Sequence, residues 1–396
     1  MKIIKKDGTV EGWNGEKIKE AVYKAAARVN QYVEPDVLNK LVEKVHSCLI
    51  IDRDAPTKDL HKEVIHYLKY FGLTDVANSY QEYRDYKNTY AKAFEKVKDE
   101  ADNVLLLGDR ENANFDSSLV STKGSLIKGY LTKELYRQFY LSKEEKELTK
   151  RGDIYIHDMR DMLMGSINCC LFDIGNVLRG GFSMSNVDYT EPTSVLSALQ
   201  VIGDITLVAT AQQFGGFTLA EIDKVLLQYA KKTYDNAFKK YFEQCNMEYD
   251  ESCAMAMGDL RRELEQGFQS LELKLNTVPC SRGDFAFTTL TFGTWDIMMD
   301  DLDRDIMRMI GETILKTRMK GHGANHKPVV FPKLVFLYDE NKINEDEDHK
   351  ELFELAVKCS SKCSYPDYLS LTGNPEVNKV AQEYLEYGTI VSPMGA

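Results

Sequence analysis

Along the first 90 residues the spacing of apolar positions changes from two to nearly four. Two short extended runs come first, Lys2 to Lys6 and Thr9 to Trp13, joined by Asp7-Gly8. Asp-Gly between such runs closes a β-hairpin. Asn14 then caps a helix whose apolar positions, Ile18, Val22, Ala25 and Val29, follow helical spacing. A second helix starts at Pro35, which suits a first turn, and carries Val37, Leu38, Leu41, Val42 and Val45. A third follows Pro56-Thr57 and runs through Leu60, Val64, Ile65 and Leu68 to Gly72. A fourth holds Val76, Ala77 and Tyr80, then Tyr83-Arg84-Asp85-Tyr86-Lys87. Residues 1–92 are therefore expected to form a small separate domain, a hairpin followed by four helices.

The pattern from residue 93 onward differs. Gly108 to Asp116 is polar without periodicity and predicts a loop or an extended entry. Helical patterns cover 132–149, 193–214, Ala220 to Cys245 and Ser252 to Leu275, and strand-like runs fall at 153–157, 285–292 and 329–337. Long helices between short buried strands predict an α/β architecture. There is no sequence repeat and no low-complexity linker, and Glu345-Asp346-Glu347-Asp348 reads as a solvated surface run.

Composition narrows the class without fixing it. At 396 residues the chain has room for two or more domains, and 43% hydrophobic with 28% charged residues is ordinary for a globular protein. No run of 18 apolar residues suggests a membrane span, and Met1-Lys2-Ile3-Ile4-Lys5-Lys6-Asp7 lacks the apolar core of a signal peptide. The expected compartment is the cytoplasm, without a membrane partner. A net charge of −12 argues against a general nucleic-acid surface but leaves room for a local basic pocket. The eight cysteines, at 48, 169, 170, 245, 253, 280, 359 and 363, show no paired zinc spacing, so no metal is expected on them. In a cytoplasmic chain they are expected to be reduced thiols.

Candidate chemistry concentrates in Gly152-Asp153-Ile154-Tyr155-Ile156-His157-Asp158 and Ile167-Asn168-Cys169-Cys170-Leu171-Phe172-Asp173. Adjacent cysteines on an extended backbone point to opposite sides, so one can face a pocket while the other packs. A thiol within reach of a histidine and a carboxylate suggests thiol chemistry. Two small core hydrophobes are the plainer alternative.

Further segments add to this pair: Ala211-Gln212-Gln213-Phe214-Gly215-Gly216-Phe217-Thr218, Phe287-Thr288-Thr289-Leu290-Thr291-Phe292-Gly293, Val329 to Phe336, Tyr365-Pro366-Asp367 and Ser392-Pro393-Met394-Gly395. In this order and spacing the chain resembles the anaerobic ribonucleoside-triphosphate reductases, the glycyl-radical class of ribonucleotide reductase, from about residue 2 to 395. At the N-terminus Lys5, Lys6, Asp7, Gly8, Trp13, Lys17 and Ile18 resemble the start of an ATP-cone. The alternative there is a solvated basic hairpin. The resemblance implies that Lys5, Lys6, Gly8, Trp13, Asn14 and Lys17 bind ATP and dATP as allosteric effectors. A glycine turn lets backbone amides approach phosphate, and lysines supply countercharge.

For residues 93–396 the resemblance implies the first part of a ten-stranded α/β barrel. The implied reaction replaces the ribose 2′-hydroxyl with hydrogen: a thiyl radical takes the 3′-hydrogen, the hydroxyl leaves as water, and a reductant restores the carbon. Cys169 is implied as the hydrogen donor on the opposite face of the ribose, with Cys170 packing. His157 and Asp158 match a His-x-His-Asp segment in which Tyr155 replaces the first histidine. Tyrosine hydrogen-bonds but does not shuttle protons near neutral pH. His157 is left with three roles: orienting a small acid such as formate, polarising the departing hydroxyl, or a structural one. Asn112 and Asn114 resemble an Asn-Glu-Asn segment near the substrate. Thr288 and Thr289 are expected to end a strand at the barrel mouth, and the Met394-Gly395 amides to cradle phosphate. Gly215 and Gly216 are expected to serve a tight turn or close packing.

The family's thiyl cysteine follows Pro-Met-Gly, and here Ala396 follows Pro393-Met394-Gly395. Alanine carries no sulfur. The expectation is an N-terminal portion of the reductase, inactive alone, with the remaining barrel, a zinc site and the glycyl-radical segment lying elsewhere. Expected partners are ribonucleoside triphosphates, a radical-SAM activating enzyme that uses S-adenosylmethionine and an iron-sulfur cluster, the missing C-terminal part, and a second copy in a homodimer. The alternatives are a non-catalytic nucleotide-binding regulator derived from the reductase and, less favoured because of the cone, a relative of pyruvate formate-lyase. Formate and a dithiol protein both stay open as reductant.

Overall fold

The computed structural model describes residues 2–5, 8–49, 54–106, 116–165, 167–213, 215–280 and 283–394. Lys6, Asn112, Asn114, Gly395 and Ala396 lie outside the described residues, as does the polar segment 107–115. The chain divides into two compact units, Met1–Asp99 and Glu100–Ala396.

The first unit contains β1 (Lys2–Ile4), β2 (Val10–Gly12), α1 (Gly15–Arg28), α2 (Pro35–Leu49), β3 (Asp54–Pro56) and α3 (Thr57–Tyr70), and the start of α4 (Thr74–Leu106). The hairpin forms as expected, with Ile3 opposite Glu11. Asn14 caps α1 by accepting the Glu16 amide at 3.0 Å. One expectation needs correcting: the hairpin is extended to three strands by β3, which pairs parallel to β1 with Ala55 opposite Ile3. Three residues ending in proline carry no readable alternation, and proline is tolerated there because β3 is an edge. Val22, Leu38, Leu41, Val64, Leu68 and Val76 are fully buried and form the core.

The second unit continues with α5 (Val120–Leu135), α6 (Lys143–Arg151), β4 (Cys170–Phe172), α7 (Ile174–Leu178), the hairpin β5 (Phe182–Met184) and β6 (Val187–Tyr189), α8 (Val195–Thr210), β7 (Phe217–Leu219), α9 (Ile222–Lys239), α10 (Tyr249–Thr277) and β8 (Thr288–Phe292). It ends with α11 (Asp301–Lys320), β9 (Lys333–Tyr338), α12 (Glu340–Glu345), α13 (Glu347–Cys363), β10 (Asp367–Ser370) and α14 (Lys379–Tyr387). Five strands make one parallel sheet in the order β10-β9-β8-β7-β4. Parallel neighbours need crossover connections, which the helices supply. Every residue of β7 and β8 is buried, as expected for the centre of a covered parallel sheet. Phe217, Leu290, Phe292 and Phe336 share a core with Leu226 and Tyr229 of α9, Leu260 and Leu264 of α10, and Ile306 and Ile310 of α11. Among the described residues the sheet keeps two edges, β4 and β10.

Several expectations shift here. Residues 153–157 form no strand. Ile154 is exposed and Ile156 only half-buried, so their alternation finds no strand partner among the described residues, and Asp158 turns the chain at a φ of 48°. The helix expected over 132–149 is interrupted: Leu141 is extended, and Ser142 opens α6 with a reciprocal capping box to Glu145. Helices α5, α11 and α13 add to those expected. The acidic run is more than a solvated face. Asp346 caps α13 and bonds His349 Nδ1 at 2.5 Å, while Asp348 pairs with Arg308.

Candidate functional site

The adjacent cysteines sit where the pairing of β4 with β7 is irregular. Ile167 bridges Gln213, whereas Cys170 pairs with Phe217. Three steps on one chain thus match four on the other, which is a β-bulge in the Gln213–Phe217 segment. Cys169 occupies that irregularity. Its sulfur accepts the Gly216 amide at 3.1 Å, and the Gly215 amide donates to the Asn168 carbonyl at 2.6 Å. A Cβ on Gly215 would lie 2.2 Å from Asn168 Oδ1 and 2.5 Å from Cys169 Sγ, so only glycine fits. Close packing therefore accounts for this glycine. Cys170 packs against the main core, and its thiol donates to Gln213 Oε1 at 2.9 Å. Burial, with Cys169 adjacent, pushes the Cys170 thiol up from its ordinary range.

The loop after α14 returns to this sheet. Thr218 Oγ1 on β7 donates to the Pro393 carbonyl at 2.8 Å, and Thr291 Oγ1 on β8 lies 3.3 Å from Ser392 Oγ. Met394 follows, more than half exposed. Thr288 and Thr289 begin β8 rather than end it, and both are buried. Thr288 Oγ1 donates to the Ala286 carbonyl at 3.2 Å, while the buried Thr289 hydroxyl has no hydrogen-bond partner among the described residues. His157 and Asp158 stand as a pair, Nδ1 to Oδ2 at 2.6 Å, with the imidazole largely exposed. Among the described residues neither bonds to Cys169 or Cys170.

In the first unit a cavity of about 510 Å³ opens between α1, α3 and α4. Lys17, Lys24, Arg28, Lys58, Arg84 and Lys87 line it, with Glu20 as the acidic member. Its floor includes His61, whose Nδ1 lies 2.7 Å from Tyr80 Oη; burial pushes that phenol up to about 12. The Arg28 guanidinium lies 4.1 Å from the Tyr83 ring centre and the Lys87 ammonium 4.9 Å from it. Of the residues singled out from the sequence, Lys17 lines the cavity. Lys5 and Lys17 both pair with Glu11, and Lys17 followed by Lys5 holds that carboxyl down at about 2. Gly8 shapes the hairpin turn at a φ of 81°, Trp13 packs on His46 with ring centres 4.8 Å apart, and Asn14 caps α1. Sequence reasoning missed the α4 contribution. Its trace was there in Tyr83-Arg84 and Lys87, which recur at one-turn spacing on one helix face.

Comparison with known proteins agrees with both halves. A family model described as anaerobic ribonucleoside-triphosphate reductase matches residues 111–396, and one described as ATP cone domain matches 1–89. The anaerobic ribonucleoside-triphosphate reductase of Haemophilus influenzae is 30% identical over 412 residues, covering 99% of this chain and 54% of that protein. The Escherichia coli enzyme is 29% identical over 404 residues, covering 99% and 53%. The enzyme of Enterobacteria phage T4 is 32% identical over 288 residues, covering 72% and 44%. The chain thus spans about half the length of the curated relatives it matches. A crystal structure of the Thermotoga maritima anaerobic ribonucleotide reductase in complex with dATP and CTP aligns at a TM-score of 0.43 and 16% identity, over 74% of this chain and 50% of that one. With a family model covering most of its length, this chain belongs to the anaerobic ribonucleoside-triphosphate reductase family.

Proposed function

We propose that this chain takes part in the radical reduction of ribonucleoside triphosphates to deoxyribonucleoside triphosphates, under ATP and dATP control from its N-terminal unit. One observation carries the reading: the Pro393-Met394 segment is tied by Thr218 to β7, the strand paired with the one that Cys169 leads into. The loop that carries the family's motif is thus tied to β7, beside the strand that the proposed hydrogen donor Cys169 leads into, which supports the reading.

In this reading the chemistry of the first hydrogen abstraction would come from the family's radical, made by a separate activating enzyme. The chain's own residues hold the ribose and return a hydrogen. The Cys169 S–H bond breaks to supply that hydrogen, leaving a sulfur-centred radical that the external reductant, formate or a dithiol, would reduce, and the Gly216 amide fixes the sulfur. Thr289 offers a buried hydroxyl, without a partner among the described residues, for a polar substrate group, alongside Thr288. Asn112, Asn114 and the Met394-Gly395 amides complete the proposed substrate contacts. His157 with Asp158 is proposed to act on the reductant or the departing hydroxyl. In the cone, Lys5, Lys6 and Lys17 hold phosphate together with the cations of the cavity. Gly8, Trp13 and Asn14 shape the hairpin and first helix turn that present them.

Substrate protection tests the reading. Cys169 in the full chain is alkylated with iodoacetamide, with and without a millimolar ribonucleoside triphosphate, and the labelled site is read by mass spectrometry. The nucleotide should slow labelling of Cys169 and leave exposed Cys48 unchanged. Equal labelling of Cys169 in both samples would remove the substrate from this site.

A further inference from the structure

The mechanism above uses Cys169 and leaves unexplained how one of two adjacent thiols is chosen. The sidedness of an extended strand does not settle it, because the bulge breaks the regular alternation and both cysteines are only partly buried. The deciding contacts converge on one buried side chain. Gln213 is 3% exposed and uses its whole carboxamide. Nε2 donates to the Gly215 carbonyl at 3.1 Å and the Gly216 carbonyl at 2.7 Å, while Oε1 accepts the Cys170 thiol at 2.9 Å. The two carbonyls fix the orientation of the amide: flipping it would set an oxygen against both.

We infer that Gln213 is a positioning residue that presents Cys169 and withholds Cys170. Its donors fasten the Gly215-Gly216 bulge, and Gly216 in turn donates to the Cys169 sulfur. Its acceptor occupies the Cys170 S–H. Among the described residues the Cys169 sulfur accepts one hydrogen bond and donates none, so its hydrogen is the one left for a substrate. No side chain of similar size does all of this. Methionine fills the space without polar atoms. Glutamate keeps the acceptor but turns a carboxylate oxygen toward the two carbonyls, where donors are required.

The inference rests on the reading of Cys169 as hydrogen donor, but its test does not need substrate. The full chain is labelled with iodoacetamide in the absence of nucleotide, and fragmentation distinguishes Cys169 from Cys170. In the unaltered chain Cys169 should react faster by about tenfold, the worth of one hydrogen bond. Gln213→Met should bring the two rates to near parity. Gln213→Glu should also lower the Cys169 preference, because it loses the donors while keeping the acceptor. Cys359, fully buried against α11, serves as a control for general loosening. The idea fails if the unaltered chain labels Cys170 as fast as Cys169, a result that needs no variant. It fails equally if the ratio survives Gln213→Met in a folded chain, or if Cys359 labelling rises in step with the pair. Loss of substrate protection with an intact labelling ratio would overturn the functional reading and leave the clamp standing.

Discussion

The Thr218 hydroxyl donates to the Pro393 carbonyl at 2.8 Å, joining residues 175 positions apart in the chain. Thr218 is fully buried and Ser392 nearly so, so this part of the loop is packed into the unit. Thr218→Val keeps the shape and removes the donor. The expected cost is about 1–3 kcal/mol for a carbonyl left without its partner. The effect should be local: amide exchange at Val391, Ser392 and Met394 should accelerate while α8 keeps its protection. Unchanged exchange in that loop would show that the bond does not hold it.

The cone cavity should bind ATP and dATP, because its lining combines six cations with a single carboxylate. Calorimetry on the whole chain is the measurement. Arg84→Ala or Lys87→Ala should weaken binding by about 1.5–3 kcal/mol each if the side chain contacts phosphate directly, and Lys5→Ala with Lys6→Ala should act in the same direction. Binding of neither nucleotide at millimolar concentration would remove the effector site from this unit.

How far the sequence revealed these features depended on the range of the interactions behind them. The cone helices were legible because Asn14, Pro35 and the apolar periods act within a few residues. Strand β3 was not, since Asp54-Ala55-Pro56 is extended only through pairing with Lys2–Ile4. The run 153–157 misled for the opposite reason: its alternation is real, but no neighbouring strand among the described residues uses it. At the site, family resemblance drew attention to Cys169 and to Gly215-Gly216. The bulge between them depends on a register difference between Ile167–Gln213 and Cys170–Phe217, which no local pattern announces. Gln213 and Thr218 were visible in the motif, yet their partners lie 43 and 175 residues away.

Asp223 should give the second unit a measurable pH dependence. It is fully buried at the start of α9, where Oδ2 accepts the Gly293 amide at 2.7 Å, and burial raises its carboxyl to about 6. The native state therefore holds a proton that the unfolded chain releases near 3.8. The resulting stabilisation is fully present below that value and is lost as pH rises through about 6. A shift of this size corresponds to roughly 3 kcal/mol. Asp223→Asn should flatten the difference in thermal midpoint between acidic and neutral buffers. An undiminished difference would place the titrating group elsewhere.

The buried pair of Arg318 and Glu272 should behave asymmetrically. Arg318 is fully buried; its Nε lies 2.8 Å from Glu272 Oε1, and His322 Nε2 lies 2.9 Å from Oε2. Glu272→Ala leaves a guanidinium charge uncompensated and should cost about 3–5 kcal/mol. Arg318→Met combined with Glu272→Leu should cost far less, because no buried charge remains. Urea unfolding measures both, and equal losses would mean that packing rather than charge dominates there.

The contrast between Cys169 and Cys170 bears most directly on function. In an active reductase assembled on this chain, Cys169→Ser should abolish deoxynucleotide formation, since a hydroxyl hydrogen is far harder to abstract than a thiol hydrogen. Nucleotide binding should survive, because the sulfur is not needed to hold the substrate. Cys170→Ser should leave turnover largely intact. A serine hydroxyl can still donate to Gln213 Oε1, so the change should cost only about 1–2 kcal/mol from burying a more polar group. Anaerobic incubation with a ribonucleoside triphosphate, followed by chromatography, reads the first effect, and thermal unfolding reads the second. If Cys170→Ser stops turnover in a well-folded protein while Cys169→Ser does not, the two thiols exchange roles and the Gln213 contact becomes part of the donor. If neither change affects turnover, the pair belongs to the core of the sheet alone.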